Sequence, residues 1–280
     1  MALLRCLGFS MVYLAVFVGT SRAAIEVIPQ SALQDTDFYY TETIGGGLGN
    51  IAVMTGGGSS PGIGVPTGRN DDGFRGPIDL GFTSPLSFFG SNYTEFWANN
   101  NGNVSFTGGI SAFVPDGAVG ANVPVISPYF GDVDTRNPAS GVMYIRDDIA
   151  EQIIVTWDQV GRFSQQGDLL NSFQLVLRGP DYPVPVGEGS IGFFYKEMQW
   201  EVTGTSTTAA VGFGDGAGNG VVLEGSNQAG LVEVVNTSSL WFDPLLNPVV
   251  NGVVPEPSTI VLTAIGFLSL GMIGRRRRRR

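Results

Sequence analysis

The sequence predicts an all-β protein, an antiparallel β-sandwich or distorted barrel, with a short transmembrane helix at the C-terminus. Three observations carry this. Short runs rich in β-branched and aromatic residues recur along the chain, and Gly, Pro and Asn turn signals separate them at short intervals. Between the two ends no stretch sustains the 3.6-residue apolar period of a helix. Gly at 41 of 280 residues with 14% charged residues resembles low complexity, yet 43% hydrophobic residues including 18 Phe suffice to bury a core. A span of roughly 200 residues suits one large β domain.

Taken from the N-terminus, residues 1–23 read as a signal peptide. Met1 to Arg5 is a short basic start, Leu7 to Gly19 is apolar, and Ser21-Arg22-Ala23 offers small residues for cleavage after Ala23. Cys6 is the sole cysteine and precedes the apolar run, so the mature chain is expected to hold no disulfide. Residues 24–70 read as an N-terminal strand followed by a Gly-rich segment. Gly45-Gly46-Gly47 and Gly56-Gly57-Gly58 flank Ile51-Ala52-Val53 as a candidate strand. No Gly-Lys-Ser/Thr follows them, so a phosphate-cradling loop is not expected.

Residues 71–243 carry the strand signals. Tyr93 to Ala98 and Asn103 to Phe106 flank Asn99-Asn100-Asn101-Gly102, and Asn-Gly tolerates the positive φ of a hairpin turn. Val142 to Ile145, Glu151 to Trp157, Ser172 to Leu177 and Ile191 to Tyr195 are further strand candidates with partial alternation. Trp97, Trp157, Trp200 and Trp241 read as core, because three of them lie in strand-like runs. Residues 244–253 read as a linker. Residues 254–280 combine Val254-Pro255-Glu256-Pro257-Ser258, an apolar stretch from Ile260 to Ile273, and the arginines Arg275, Arg276 and onward to Arg280. Such a basic end stays on the cytoplasmic side. About 15 apolar residues at ~1.5 Å each cover ~22 Å of a ~30 Å hydrocarbon core, so the helix is short.

Composition excludes whole classes of chemistry. With no histidine and one cysteine, the chain offers no Ser-His-Asp or Cys-His pair and no His-based zinc site. An enzyme would have to rely on carboxylate pairs, and Glu197 and Glu201 lack a convincing second element, so no catalytic residue is assigned. Setting aside Arg5, Arg22 and the six C-terminal arginines leaves 7 basic against 24 acidic residues between Ala24 and Val254, a net charge of −17. That surface argues against nucleic acid as a partner and leaves divalent cations open.

Asp132, Asp134 and Asn137 follow an aromatic strand at i, i+2 and i+5. Alternating carboxylates on an extended strand share a face and suit a hard cation such as calcium. The competing reading is a turn in which Arg136 pairs with one of the aspartates. Asp71 and Asp72 before Gly73 read as an Asx-type turn. Asn92, Asn103 and Asn236 open Asn-x-Ser/Thr triplets that are expected to be chance matches.

Two resemblances add to this. The Pro-Glu-Pro motif, apolar stretch and basic tail, in that order, resemble the PEP-CTERM sorting signal of envelope-bearing bacteria. That implies recognition by an exosortase after export through signal peptidase, with transient membrane anchoring. In the centre, Asn70-Asp71-Asp72-Gly73-Phe74, Asn99-Asn100-Asn101-Gly102-Asn103 and Pro128-Tyr129-Phe130-Gly131-Asp132-Val133-Asp134-Thr135-Arg136 come in succession. Val155-Thr156-Trp157, Gln199-Trp200-Glu201 and Val211-Gly212-Phe213 follow. This series resembles the nidogen-like (NIDO) domain of extracellular matrix and adhesion proteins. The resemblance implies a non-enzymatic surface or matrix protein acting in cell–matrix or biofilm adhesion, its partner an extracellular matrix component, exopolysaccharide or surface protein. The alternative is a calcium- or carbohydrate-binding receptor module.

Overall fold

The structure is a computed structural model that describes residues 24–57, 67–115, 121–202 and 208–250. The residues read as a signal peptide, with Ala23, and as a sorting signal, with Pro255, Glu256, Pro257, Arg275 and Arg276, lie outside the described residues. Among the described residues no helix is long and apolar enough to cross a membrane.

The strands in chain order are β1 (Ile25–Ile28), β2 (Gln34–Asp35), β3 (Asn50–Ile51), β4 (Thr55–Gly56), β5 (Gly73–Asp79) and β6 (Leu86–Phe88). Next come β7 (Ser91–Tyr93), β8 (Glu95–Asn99), β9 (Asn103–Ser105), β10 (Val125–Phe130), β11 (Met143–Ile149) and β12 (Gln152–Arg162). The last six are β13 (Gln166–Arg178), β14 (Ile191–Glu197), β15 (Ala210–Gly214), β16 (Gly220–Leu223), β17 (Ser238–Phe242) and β18 (Pro248–Val249). A 3-10 helix (Gln30–Ala32) and two five-residue α-helices, α1 (Tyr40–Ile44) and α2 (Leu231–Val235), complete the described elements.

Two large sheets result, in a sandwich-like arrangement. The first runs β1-β16-β15-β10-β9-β8-β5-β4, and the second runs β18-β17-β14-β13-β12-β11-β3 with β2 also on β17. The pairings are antiparallel except for β1 against β16. Aromatic rings join the layers. Phe213 of the first sheet lies 5.4 Å from Phe193 and 4.7 Å from Phe242 of the second, and Tyr129 lies 5.6 Å from Phe173. The Tyr195 hydroxyl crosses between the sheets to the Pro128 carbonyl at 2.7 Å.

The second sheet is buried on both faces, which explains why its strands alternate only partially. Along β13, Phe173, Leu175 and Leu177 face the main core. Val176 instead joins Tyr40, Ile154, Phe194 and Trp241 on the outer face. There the fully buried Arg178 guanidinium sits 4.3 Å from the Trp241 ring centroid and donates to the Tyr40 hydroxyl at 2.7 Å and the Gly189 carbonyl at 2.8 Å. The segment 24–70, read above as standing before the domain, is thus woven into it. It supplies edge strands to both sheets and covers the outer face of the second with α1. The 244–253 linker likewise contributes β18, paired with β17.

The hairpin expected around Asn-Asn-Asn-Gly forms between β8 and β9. Its turn is not a solvated tip: Asn99, Asn100, Asn101 and Asn103 are all buried. At φ +75°, Gly102 lies so close to β10 that a Cβ would stand 1.7 Å from the Tyr129 carbonyl oxygen. Gly102→Ala is therefore expected to cost about 3 kcal/mol or more, a loss measurable as a lowered denaturant midpoint.

Candidate functional site

The buried Asn turn positions a cluster of carboxylates. The Asn101 side chain accepts from the Val133 backbone N–H at 3.0 Å and donates to Asp72 Oδ1 at 2.7 Å. It thereby links the residues just before β5 to those just after β10. Asp71 and Asp134 form an isolated antiparallel bridge, and Thr135 closes it by donating N–H and hydroxyl to the Asn70 carbonyl, each at 3.0 Å. The tip of the β12–β13 hairpin docks on the same loop, with the Phe163 N–H on the Asp132 carbonyl at 2.9 Å and the Gln165 N–H on Asp134 Oδ2 at 2.8 Å.

These contacts decide what each predicted residue does. Asp134, fully buried, accepts from the Arg136 backbone N–H at 3.0 Å, from Nε at 2.8 Å and from Nη2 at 2.5 Å. The arginine pairing weighed from the sequence is therefore the one that forms, and Arg136 Nη2 also reaches Asp71 Oδ2 at 2.5 Å. Asn137 turns away from the acids: Oδ1 accepts the Ala139 N–H and Nδ2 donates to the Gln165 carbonyl, both at 2.7 Å. The structure does not bring Asp132, Asp134 and Asn137 together as one ligand set. Instead Asp132 joins Asp71 and Asp72, and one carboxylate oxygen from each lies within 4.8 Å of the others. The alternation argument requires a continuous strand, and β10 ends at Phe130.

Asp71 and Asp72 are more than a turn. Burial pushes the Asp71 carboxyl up from 3.8 to about 7, aided by the neighbouring Asp134 and Asp72 charges and opposed by Arg136. Burial also raises Asp72, against the Asn101 hydrogen bond. Asp71 Oδ1 is buried and accepts no hydrogen bond. No sequence signal marks this grouping, because its two halves lie some 60 positions apart and meet only through tertiary bridges.

Other acidic candidates resolve into structure. Glu201 caps α2 by accepting from the Gly230 N–H at 2.8 Å and the Val232 N–H at 2.9 Å, and Glu197 accepts from the Gln199 side chain at 2.6 Å. Trp157, Trp200 and Trp241 are buried as expected, whereas Trp97 is half-buried. Asn103 is fully buried and bonded to Asn99, so its triplet cannot accept a glycan in the folded protein.

Residues 55–250 match the family described as NIDO related, which is most of the described chain. The chain belongs to the NIDO-related family. Residues 253–280 match the PEP-CTERM protein-sorting motif, which implies processing by exosortase during export. Among curated proteins it is similar to alpha-tectorin of Gallus gallus, 26% identical over 213 residues that cover 62% of this chain and 10% of that protein. It is also similar to alpha-tectorin of Mus musculus and of Homo sapiens, each 29% identical over 170 residues, covering 50% of this chain and 7% of theirs. The NIDO-related chain thus spans about a tenth or less of the length of these relatives. No solved structure matches it at comparable significance.

Two outcomes test this account of the cluster. Asp134→Ala leaves Arg136 without its main partner and is expected to cost about 2–3 kcal/mol, below the range for fully buried pairs because Arg136 is part-exposed. The second concerns pH. Because its folded value lies above its unfolded one, Asp71 contributes stability that is present below 3.8 and is lost as pH rises to about 7. In chelating buffer, Asp71→Asn should therefore flatten the decline in melting midpoint between pH 4 and pH 7. An unchanged slope would remove Asp71 as its source.

Proposed function

We propose that this exported surface protein is a non-catalytic adhesion module, presenting its NIDO-related domain to an extracellular matrix component, exopolysaccharide or surface protein. The observation that carries this reading is the order of two matched segments: a NIDO-related domain over 55–250, followed at once by a sorting motif over 253–280. The motif supports export to the surface or beyond, and the domain resembles one found in matrix and adhesion proteins. Its similarity to alpha-tectorin supports the reading at a distance. The chemistry of the interior points the same way. The glutamates weighed for catalysis serve as caps and side-chain acceptors, and the chain contains no histidine. The apolar C-terminal stretch acts as a transient inner-membrane anchor until the exosortase removes it.

The test has two parts. Intact mass of the envelope-associated protein should lack the arginine tail, whereas a retained Arg275–Arg280 would leave a simple anchor in place of the sorting reading. A strain deleted for the protein should lose surface or cell–cell attachment, with recovery on expression of the intact chain. Recovery by a chain with the 71–243 region deleted would overturn adhesion through the domain.

A further inference from the structure

We propose that Asp71, Asp72 and Asp132 form a binding site for one calcium ion, at the junction where the entry to β5 meets the loop after β10. This goes beyond the adhesion reading and does not depend on it.

Geometry comes first. Calcium binds oxygens at roughly 2.4 Å, so two oxygens on one ion stand at most about 4.8 Å apart. The three carboxylates each place an oxygen within 4.8 Å of the other two, a grouping compatible with one shared ion. Magnesium binds at about 2.1 Å and would demand closer and more regular oxygens. Hard carboxylate oxygens with no histidine or thiolate nearby select this class of cation over zinc or copper.

The second observation is an orphaned acceptor. Asp71 is 5% exposed, and its Oδ1 has no hydrogen-bond donor, while Oδ2 is held by Arg136. A buried carboxylate oxygen without a donor is costly and calls for a proton or a cation. Arg136 is the cation supplied by the fold, but it is committed to Asp134 through Nε and Nη2 and to Asp71 through Oδ2. One guanidinium faces three carboxylates, those of Asp71, Asp72 and Asp134, and a divalent ion corrects that imbalance. Asn100 adds a further buried oxygen, Oδ1, that accepts nothing. Its Nδ2 donates to the carbonyl of Val133, between Asp132 and Asp134, so the Asn100 side chain lies against the same loop.

The surroundings make the site rigid. Arg69 Nη1 donates to the carbonyls of Thr135 at 2.7 Å, Asn137 at 2.5 Å and Ser140 at 2.8 Å, fixing the loop beyond Asp132. Asn101 holds Asp72. A bound ion would tie the entry to β5 to the loop after β10, which also receives the hairpin tip of the second sheet.

The experiment uses the full chain in mild detergent, with melting curves and calorimetric titration in EDTA, in calcium and in magnesium. Extracellular-grade sites bind at roughly 10⁻⁴–10⁻³ M. At 10 mM calcium the midpoint should then rise by several degrees, on the order of 4–8 °C. Asp71→Asn/Asp72→Asn removes charge repulsion without removing bulk, so it should fold at least as well in EDTA yet lose the calcium rise and bind at least tenfold more weakly. Asp134→Asn should lower the midpoint in both buffers and keep the calcium increment. No calcium-dependent shift in the wild type, a shift retained by the Asp71/Asp72 variant, or an equal or larger shift with magnesium would each overturn the assignment.

Discussion

A turn that carries three asparagines and a glycine is folded into the interior, and its polar groups, Asn100 Oδ1 apart, are served by protein partners there. Water cannot serve them, so the neighbouring strands do. The Asn100 carbonyl takes the Trp157 indole N–H from the second sheet at 3.0 Å. The Asn101 carbonyl takes the Gly131 N–H at 3.3 Å, and the Gly102 carbonyl takes the Tyr129 N–H at 3.2 Å. Asn99 donates to Asn103 at 2.8 Å and to Ser105 at 2.9 Å. These bonds fix the height of β10 against the hairpin and the separation of the two layers beneath it. The acidic loop inherits its position from them, because Asn101 holds both Val133 and Asp72.

Much of the architecture was legible from composition and local pattern. Strand-like runs at 142–145, 151–157, 172–177 and 191–195 overlap β11 to β14, with Val142 and Glu151 each one residue ahead of its strand, and the Asn-Gly signal marks a true hairpin. Extents were harder. β12 and β13 continue to Arg162 and back from Gln166, beyond the apolar runs that announced them, because the hairpin tip is held by the Asp132 and Asp134 loop rather than by its own hydrophobicity. The role of the N-terminal segment was also hidden. Nothing in Tyr39 or Tyr40 announces that one donates to Asp158 at 2.9 Å and the other covers Phe194 and Trp241.

The acidic motifs show the same boundary between local and non-local information. Sequence spacing could pair Asp132 with Asp134 and could nominate Arg136 as a partner, since all three lie within five residues. It could not bring Asp71 to them, because that meeting depends on one isolated bridge and on a side chain from the hairpin between. Raising a carboxyl to about 7 requires burial among like charges, and burial is a property of the assembled layers.

The parallel pairing of β1 with β16 sets a timetable for an exported chain. Residues 25–28 are among the first to emerge on the far side of the membrane, and their partners, Gly220 to Leu223, are nearly the last of the domain to follow. β2 waits likewise for Ser238 and Ser239 of β17. Contacts of such long sequence separation form late and slowly. The domain therefore cannot close both sheets while most of its chain is still on the cytoplasmic side, and the unclosed state is the one a narrow translocation channel can thread.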